Sequence, residues 1–247
     1  MTIEHNYNST VTNSTDPSYL AELANSTNAR ICVGRSGTRF TTQTLLKFRL
    51  DHAIANDAVW SAIDQEKIDN LGFYSIQTKV QDKEEFIRRP DLGRIFDDAT
   101  LTAIKGDCIP NPDVQIMAAD GLSAAAINAN IEDIYALLEA ELTAAGYTMG
   151  TPLFVKYSRV ATMDPISEIL GAKVTINLIG ERPGLATDES MSAYIAYESS
   201  AKKPESQRTV ISNIHRNGIP PVEAGAQIVS LVKLMMKEKI SGIDLKL

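Results

Sequence analysis

The sequence predicts an α/β protein: a mostly parallel sheet with helices on both faces, preceded by a mainly helical N-terminal region. Three observations predict it. From Asn111 onward, short apolar runs alternate with helical stretches, the order that builds a parallel sheet covered on both sides. Two of those runs, Val114–Ala119 and Val174–Ile179, are mostly apolar and read as buried strands. Before Asn111 the pattern is helical, broken by Pro90. The expected division is residues 1–110, an arm and mainly helical region, and residues 111–247, the sheet domain.

Residues 1 to 15 are rich in Asn, Ser and Thr and read as a loose arm. Asp16-Pro17 starts a helix, with Asp as cap and Pro at the first helical position. Residues 31 to 42 hold Gly34, Gly37, Arg35 and Arg39 and predict a basic, irregular connection. A helix follows over 41–63. Its apolar positions Leu45, Leu46, Phe48, Leu50, Ile54, Val59 and Trp60 are too widely spread for one surface stripe. A break is expected near Asn56-Asp57. Phe73 to Val80 alternates as a strand does. Residues 82–89 and 91–105 read as two helices.

In the second region, Val114–Ala119 is a strand ending in Asp120-Gly121. A helix over 123–145 follows, with an expected break near Asn128-Asn130 and a stop at Gly146. Leu153–Tyr157 is a strand. Asp164–Leu170 is a short helix stopped by Gly171. Val174–Ile179 and Ser192–Tyr197 are strands. Residues 220–239 form a long helix with Pro at its start and Lys near its end.

Composition narrows the function. The 247 residues carry 31 acidic and 24 basic side chains, a net charge of -7, which argues against binding nucleic acid by phosphate neutralisation. There is no apolar run of about 18 residues and no secretory h-region, so a cytoplasmic protein is expected. Cys32 and Cys108 are the only cysteines and read as reduced packing thiols. The three histidines, His5, His52 and His215, lie far apart without zinc-site spacing. No P-loop and no Gly-x-Ser-x-Gly elbow occurs. The glycines after Val114–Ala119 do not follow the dinucleotide fingerprint, so a nicotinamide enzyme has little support. No nucleophile or acid/base pair has diagnostic spacing. The chain reads as a binding module or a partner subunit.

The most informative stretch is Gly180-Glu181-Arg182-Pro183-Gly184-Leu185, directly after a buried strand. In open α/β sheets ligands bind beyond the carboxyl ends of strands. Glu181 and Arg182 there either face a ligand or form a surface turn. Asp120 also follows a strand, and the favoured reading is a cap for the helix that starts near Ser123. Asn213-Ile214-His215-Arg216-Asn217-Gly218 nearly matches Asp-x-His-x-x-Gly, which supplies an axial cobalt ligand in some corrinoid proteins. Asn213 stands where the orienting Asp would be and cannot supply the anion. His215 is therefore expected to brace the loop before the last helix.

These segments resemble the small subunit of ethanolamine ammonia-lyase. Gly180 to Leu185, Ser212-Asn213-Ile214-His215 and Pro220-Pro221-Val222-Glu223-Ala224 carry the likeness. So do Arg89 to Arg94, Asn111 to Gln115, Asp120 to Ser123 and Ile169 to Ala172. It extends from Arg30 to Ile243. The resemblance implies a Rossmann-like domain in an adenosylcobalamin-dependent lyase that converts ethanolamine to acetaldehyde and ammonia. It implies a large TIM-barrel subunit holding the substrate, with the small subunit enclosing the cofactor at the interface. The corrinoid would keep its own benzimidazole on cobalt. Carried over residue by residue, the cofactor contacts are Val160 after Tyr157-Ser158-Arg159, Glu181, and Val210 two before Ser212, with no catalytic residue and no protein metal ligand. Close relatives often have Cys at the position of Val210, so a backbone contact is expected there. Some members carry a longer N-terminal extension that addresses the enzyme to a bacterial microcompartment; the arm here is short. A second class stays open: a stand-alone corrinoid- or nucleotide-binding protein without lyase activity.

Overall fold

The computed structural model describes residues 11–27 and 29–246. Helix α1 (Pro17–Asn25) opens on the expected cap, with Asp16 accepting from the Tyr19 N–H. Strands β1 (Arg35–Ser36) and β2 (Arg39–Phe40) then form a small antiparallel hairpin turned at Gly37, where φ is +62. The basic stretch is therefore ordered into a hairpin, not irregular. Helix α2 (Thr42–Trp60) runs unbroken through Asn56-Asp57, and its cap is Thr41. Helix α3 (Gln65–Asn70), strand β3 (Tyr74–Gln77) and helix α4 (Lys83–Arg88) follow. The stretch expected as one helix over 91–105 divides. A 3-10 turn covers Leu92–Arg94, and α5 (Asp98–Asp107) starts on its own cap, Asp97.

Beyond residue 110 strands and helices alternate. They are β4 (Val114–Ala119), α6 (Ala124–Ala144), β5 (Leu153–Lys156), α7 (Met163–Leu170), β6 (Val174–Gly180), β7 (Met191–Tyr197), β8 (Thr209–Ile214) and α8 (Pro221–Glu238). α6 is continuous where a break was expected. The two asparagines that suggested the break are spent on tertiary bonds. Asn130 Nδ2 donates to the Ala126 and Glu189 carbonyls, and Asn128 bonds Ala62 and Asp64 across to the end of α2. β8 was not expected as a strand.

Six strands form one sheet in the order β3-β5-β4-β6-β7-β8. The first four are mutually parallel, and β7 and β8 are antiparallel to their neighbours. One strand, β3, comes from the segment before residue 111. β4 and β6 are buried at every position, which is why their sequences are mostly apolar, with Gln115, Thr175 and Asn177 as the buried polar exceptions. Alternate residues face two cores. Ile116, Phe154, Ile176 and Leu178 meet Ile127, Ile134, Ile228 and Val232 of α6 and α8. On the opposite face Met117, Leu153 and Val155 meet Ile104 of α5 and Met163, Ile166 and Leu170 of α7. α7 stops as the sequence predicts, at Gly171 with φ +67.

Candidate functional site

The parallel register brings three strand ends level. Ala119 of β4 pairs with Val155 of β5 on one side and with Ile179 of β6 on the other. The next residues, Asp120, Lys156 and Gly180, start the loops of interest. β4 leads into α6 on one face, whereas β5 leads into α7 on the other. A crevice opens where successive connections leave adjacent strands in opposite directions.

Asp120 corrects the sequence reading. It does not cap α6; Ser123 does, its Oγ accepting from the Ala126 N–H at 3.2 Å. Asp120 is buried instead, and its Oδ1 accepts from the Ser158 N–H at 3.2 Å, tying the end of β4 to the end of β5. Burial pushes its carboxyl up; bonds from the Tyr157 and Ser158 N–H groups and the charge of Lys83 oppose this. Lys83 in turn is lowered by burial.

The loop after β6 is positioned by backbone contact. A Cβ on Gly180 would lie 2.0 Å from the Ser123 carbonyl oxygen, so only glycine lets β6 pass this close. The Pro183-Gly184 step does less than the sequence suggests. A Cβ on Gly184 would meet nothing within 4 Å, and its φ is not in the left-handed region. The loop is held by the Glu181 N–H on the Ser190 carbonyl at 2.9 Å and the Gly184 N–H on the Thr187 carbonyl at 3.0 Å. Arg30 also donates to the Leu185 carbonyl, and it pairs with Asp51 of α2 at 2.6 Å. Glu181 and Arg182 do not act as a pair: Glu181 is half-buried, and Arg182 is exposed.

Val160 and Val210 meet in one cleft. It measures about 360 Å³ and is walled by Val160 and Ala161 after β5, Tyr194 of β7, Val210 of β8, and Arg94, Arg159, Glu205 and Arg208. Tyr194 is directly across from Val210 in the β7–β8 pair and from Asn177 in the β6–β7 pair. Its hydroxyl donates to Glu181 Oε1 at 3.2 Å. All three residues expected to contact a cofactor therefore gather around Tyr194, which the sequence did not single out. The only hint was its place in a strand, between Ala193 and Ile195.

The electrostatics of this cleft are mixed. Burial, then the Glu181 charge, push the Tyr194 hydroxyl up to about 12. Arg208, partly buried, is paired with Asp164 of α7 at 2.8 Å, and it reaches Glu205 at 3.3 Å. Arg159 stacks over Phe86, its guanidinium 4.2 Å from the ring, and donates to the Phe86 carbonyl. Burial lowers it from the usual arginine value. Among the described residues, Asn177 Oδ1, Ser192 Oγ and Arg159 Nε are buried with no partner, while Asn177 Nδ2 donates to the Val160 carbonyl at 3.4 Å. Orphaned buried polar atoms beside a cleft cost free energy unless something completes them.

His215 is buried away from this cleft's wall and braces its own loop, as expected. Its Nε2 meets Asn213 Oδ1 at 2.9 Å, and its Nδ1 accepts from the Asn217 N–H at 3.3 Å. An accepting Nδ1 leaves the proton on Nε2, which donates to Asn213. Both ring nitrogens are thus used inside the loop.

The family model described as ethanolamine ammonia-lyase light chain matches residues 17–246. The chain is similar to the ethanolamine ammonia-lyase small subunit of Clostridium acetobutylicum, 64% identical over 228 residues, covering 92% of this chain and 94% of that one. It is 50% identical to the small subunit of Clostridium perfringens over 236 residues, covering 96% and 80%. It is also 50% identical to that of Listeria monocytogenes serovar 1/2a over 220 residues, covering 89% and 75%. With the match running from the first turn of α1 past the end of α8, the chain belongs to the ethanolamine ammonia-lyase light chain family.

Proposed function

We propose that this chain is the small subunit of an adenosylcobalamin-dependent ethanolamine ammonia-lyase, and that its cleft around Tyr194 covers one part of the cofactor. The observation that carries this is that Val160 and Val210 line that cleft with Tyr194, whose hydroxyl bonds Glu181. The residues suit a corrinoid. Val160, Ala161 and Val210 offer apolar contact to the edge of a ring. Glu181 accepts hydrogen bonds from amide side chains, of which a corrin has many. Arg94 and Arg159 line the cleft and would donate to acceptor oxygens of a bound group, and Asn177 and Ser192 have unpaired polar atoms at the same sheet face.

A cleft of about 360 Å³ is at the small end of ligand sites, which run roughly 300–1,000 Å³ for drug-sized molecules. It is too small to enclose a whole corrinoid, which supports sharing the cofactor with a large-subunit partner. When bound, adenosylcobalamin supplies radical chemistry through its cobalt–carbon bond. This chain's residues would grip, orient and screen it from solvent. His215, with both nitrogens committed, fits a cofactor that brings its own axial base. In this reading residues 111–247 act as a Rossmann-like cofactor-contacting domain. The enzyme works in the cytoplasm, with or without packaging in a microcompartment.

Co-purification with the large subunit, then an ethanolamine assay with added adenosylcobalamin, tests this. The two chains together should turn over ethanolamine, and this chain alone should not. Turnover by the pure isolated chain would overturn the reading, as would failure of the two chains to associate.

A further inference from the structure

The outward face of α2 is built the wrong way round for a helix that ends at solvent. Its inward positions include two polar residues, Thr44 and Asp51, beside Ile54, Ala55 and Ala58. Its outward positions include Leu45, Leu46, Phe48 and Leu50, with Leu46 59% exposed and Leu50 47%. An amphipathic surface helix places these residue types oppositely. The anomaly extends along the chain. Eight of the fifteen large apolar residues exposed among the described residues fall between Tyr19 and Trp60, including Ile31 and Phe40 of the hairpin segment. Scattered single exposures need no explanation, but a concentrated patch marks an interaction surface.

The charge of this patch says what covers it. From Ile31 to Leu50 there are four basic residues, Arg35, Arg39, Lys47 and Arg49, and no acidic residue, in a chain of net charge -7. Arg35 stacks on Phe40, its guanidinium 4.5 Å from the ring. A second copy of this chain would bring the same positive surface, and like charges would oppose that contact. A partner complementary to it would present apolar surface flanked by acidic residues. At 19 residues and 1.5 Å each, α2 is about 28 Å long, enough to span a standard protein interface.

We infer that the β1–β2 hairpin and the outward face of α2 form a docking arm, seated in an acidic-rimmed apolar groove of the large subunit. This rests on the subunit reading above. The arm is also tied to the cofactor loop. Arg30 bridges Asp51, on the inward side of α2, to the Leu185 carbonyl at the end of the Glu181 loop. Seating the arm would therefore hold the loop that carries Glu181.

The test measures binding of the purified chain to purified ethanolamine ammonia-lyase large subunit by calorimetry or surface plasmon resonance. Two exposed-face variants are compared with wild type: Leu46→Ser with Leu50→Ser, and Arg39→Glu with Arg49→Glu. Circular dichroism checks that each is folded. The leucine pair should weaken binding about tenfold or more, as loss of interface anchors does. The charge pair should slow association and remove most of its salt dependence. Wild-type binding with both variants indistinguishable from it would overturn the docking arm and leave the subunit reading intact. No binding by wild type would overturn the subunit reading, and the arm with it. If sedimentation showed the isolated chain pairing with itself through these residues, the large subunit would be the wrong occupant and the inference would fail.

Discussion

The Tyr194 hydroxyl donates to the Glu181 carboxylate at 3.2 Å, while the backbone of Tyr194 stands opposite Val210 in the β7–β8 pair. One residue thus links the loop after β6 to the strand at the sheet edge. Tyr194→Phe keeps the ring and its packing but frees the Glu181 side chain. At 3.2 Å the bond is long for a hydroxyl donor, so its loss should cost about 1 kcal/mol, or roughly fivefold in corrinoid affinity of the assembled enzyme. The ionisation gives an independent check. The hydroxyl is pushed up to about 12 from an ordinary value near 10. Its contribution to stability is complete below about pH 10 and is lost as pH rises towards about 12. A phenolate absorbance titration should lose one late-titrating group in Tyr194→Phe. Loss of a group titrating near 10 instead would show that Tyr194 is neither buried nor bonded to Glu181.

Asp120 makes a different pH prediction. Its carboxyl is raised by burial, so its favourable contribution is complete at acid pH, below the usual value of about 4, and is lost as pH rises through its raised value. Asp120→Asn keeps an oxygen to accept from the Ser158 N–H and removes the buried charge. At pH 7 it should melt at or above the wild-type temperature, with any advantage shrinking as pH falls from the raised value of Asp120 to about 4 and constant below that. Asp120→Ala leaves the Ser158 N–H without its acceptor and should lose about 1–3 kcal/mol. Equal losses for Asn and Ala at pH 7 would contradict this account.

Arg208 and Asp164 pair at 2.8 Å with both side chains about nine-tenths buried. The pair clamps β8 to α7, and Asp164 also accepts from Ser199 at 2.6 Å. Arg208→Met fills much of the same space but leaves Asp164 without its cation. Breaking one partner of a buried pair costs about 3–5 kcal/mol. Denaturant unfolding should show that loss, and Arg208→Met with Asp164→Leu should recover much of it. A loss under about 1 kcal/mol would mean that solvent reaches the Asp164 charge and compensates it.

Much of the strand and helix order was legible because it follows from apolar runs and caps. Val114–Ala119, Pro17 at the start of α1 and Gly171 at the end of α7 lie where local chemistry puts them. What was hidden is tertiary. Asn128 and Asn130 look like helix breakers until their partners at Ala62, Asp64 and Glu189 are known. Asp120 has the spacing of a cap, but burial beside Ser158 gives it another partner. β8 has a mixed exposed and buried pattern that carries little strand signature. At the site, the resemblance pointed to Val160, Glu181 and Val210, but nothing in the sequence indicates that Tyr194 joins them. That link needs the antiparallel register of β6, β7 and β8.

His215→Ala separates a structural histidine from a metal ligand. Nε2 is committed to Asn213 and Nδ1 to Asn217, in the turn that leads to α8. The variant should lower the melting temperature, because the buried imidazole and its bonds to Asn213 and the Asn217 N–H are lost. It should leave the axial nitrogen of cobalt in place. Electron paramagnetic resonance of the reduced cofactor in the assembled enzyme reports that nitrogen. A changed splitting on labelling the protein's histidine nitrogens would show that a protein histidine has taken the axial position.

Glu181 carries the most direct prediction. Its backbone is fixed by the Ser190 carbonyl, and its side chain is held by Tyr194 at one oxygen. The remaining acceptor positions of the carboxylate suit corrin amides. A hydrogen bond to a charged group contributes about 1.5–3 kcal/mol, roughly 10- to 150-fold in affinity. Glu181→Gln keeps an acceptor oxygen and loses the charge, whereas Glu181→Ala loses both. Affinity for adenosylcobalamin in the assembled enzyme should therefore fall in the order wild type, Gln, Ala. The ethanolamine KM should change much less, since in the proposed division of labour the substrate sits in the large subunit. Glu181→Ala also frees the Tyr194 hydroxyl, so Tyr194→Phe and Glu181→Ala together should cost less than the sum of the two alone. Cofactor titration of the complex measures all of these. Unchanged affinity in Glu181→Ala, with the complex intact, would reduce Glu181 to a surface-turn residue.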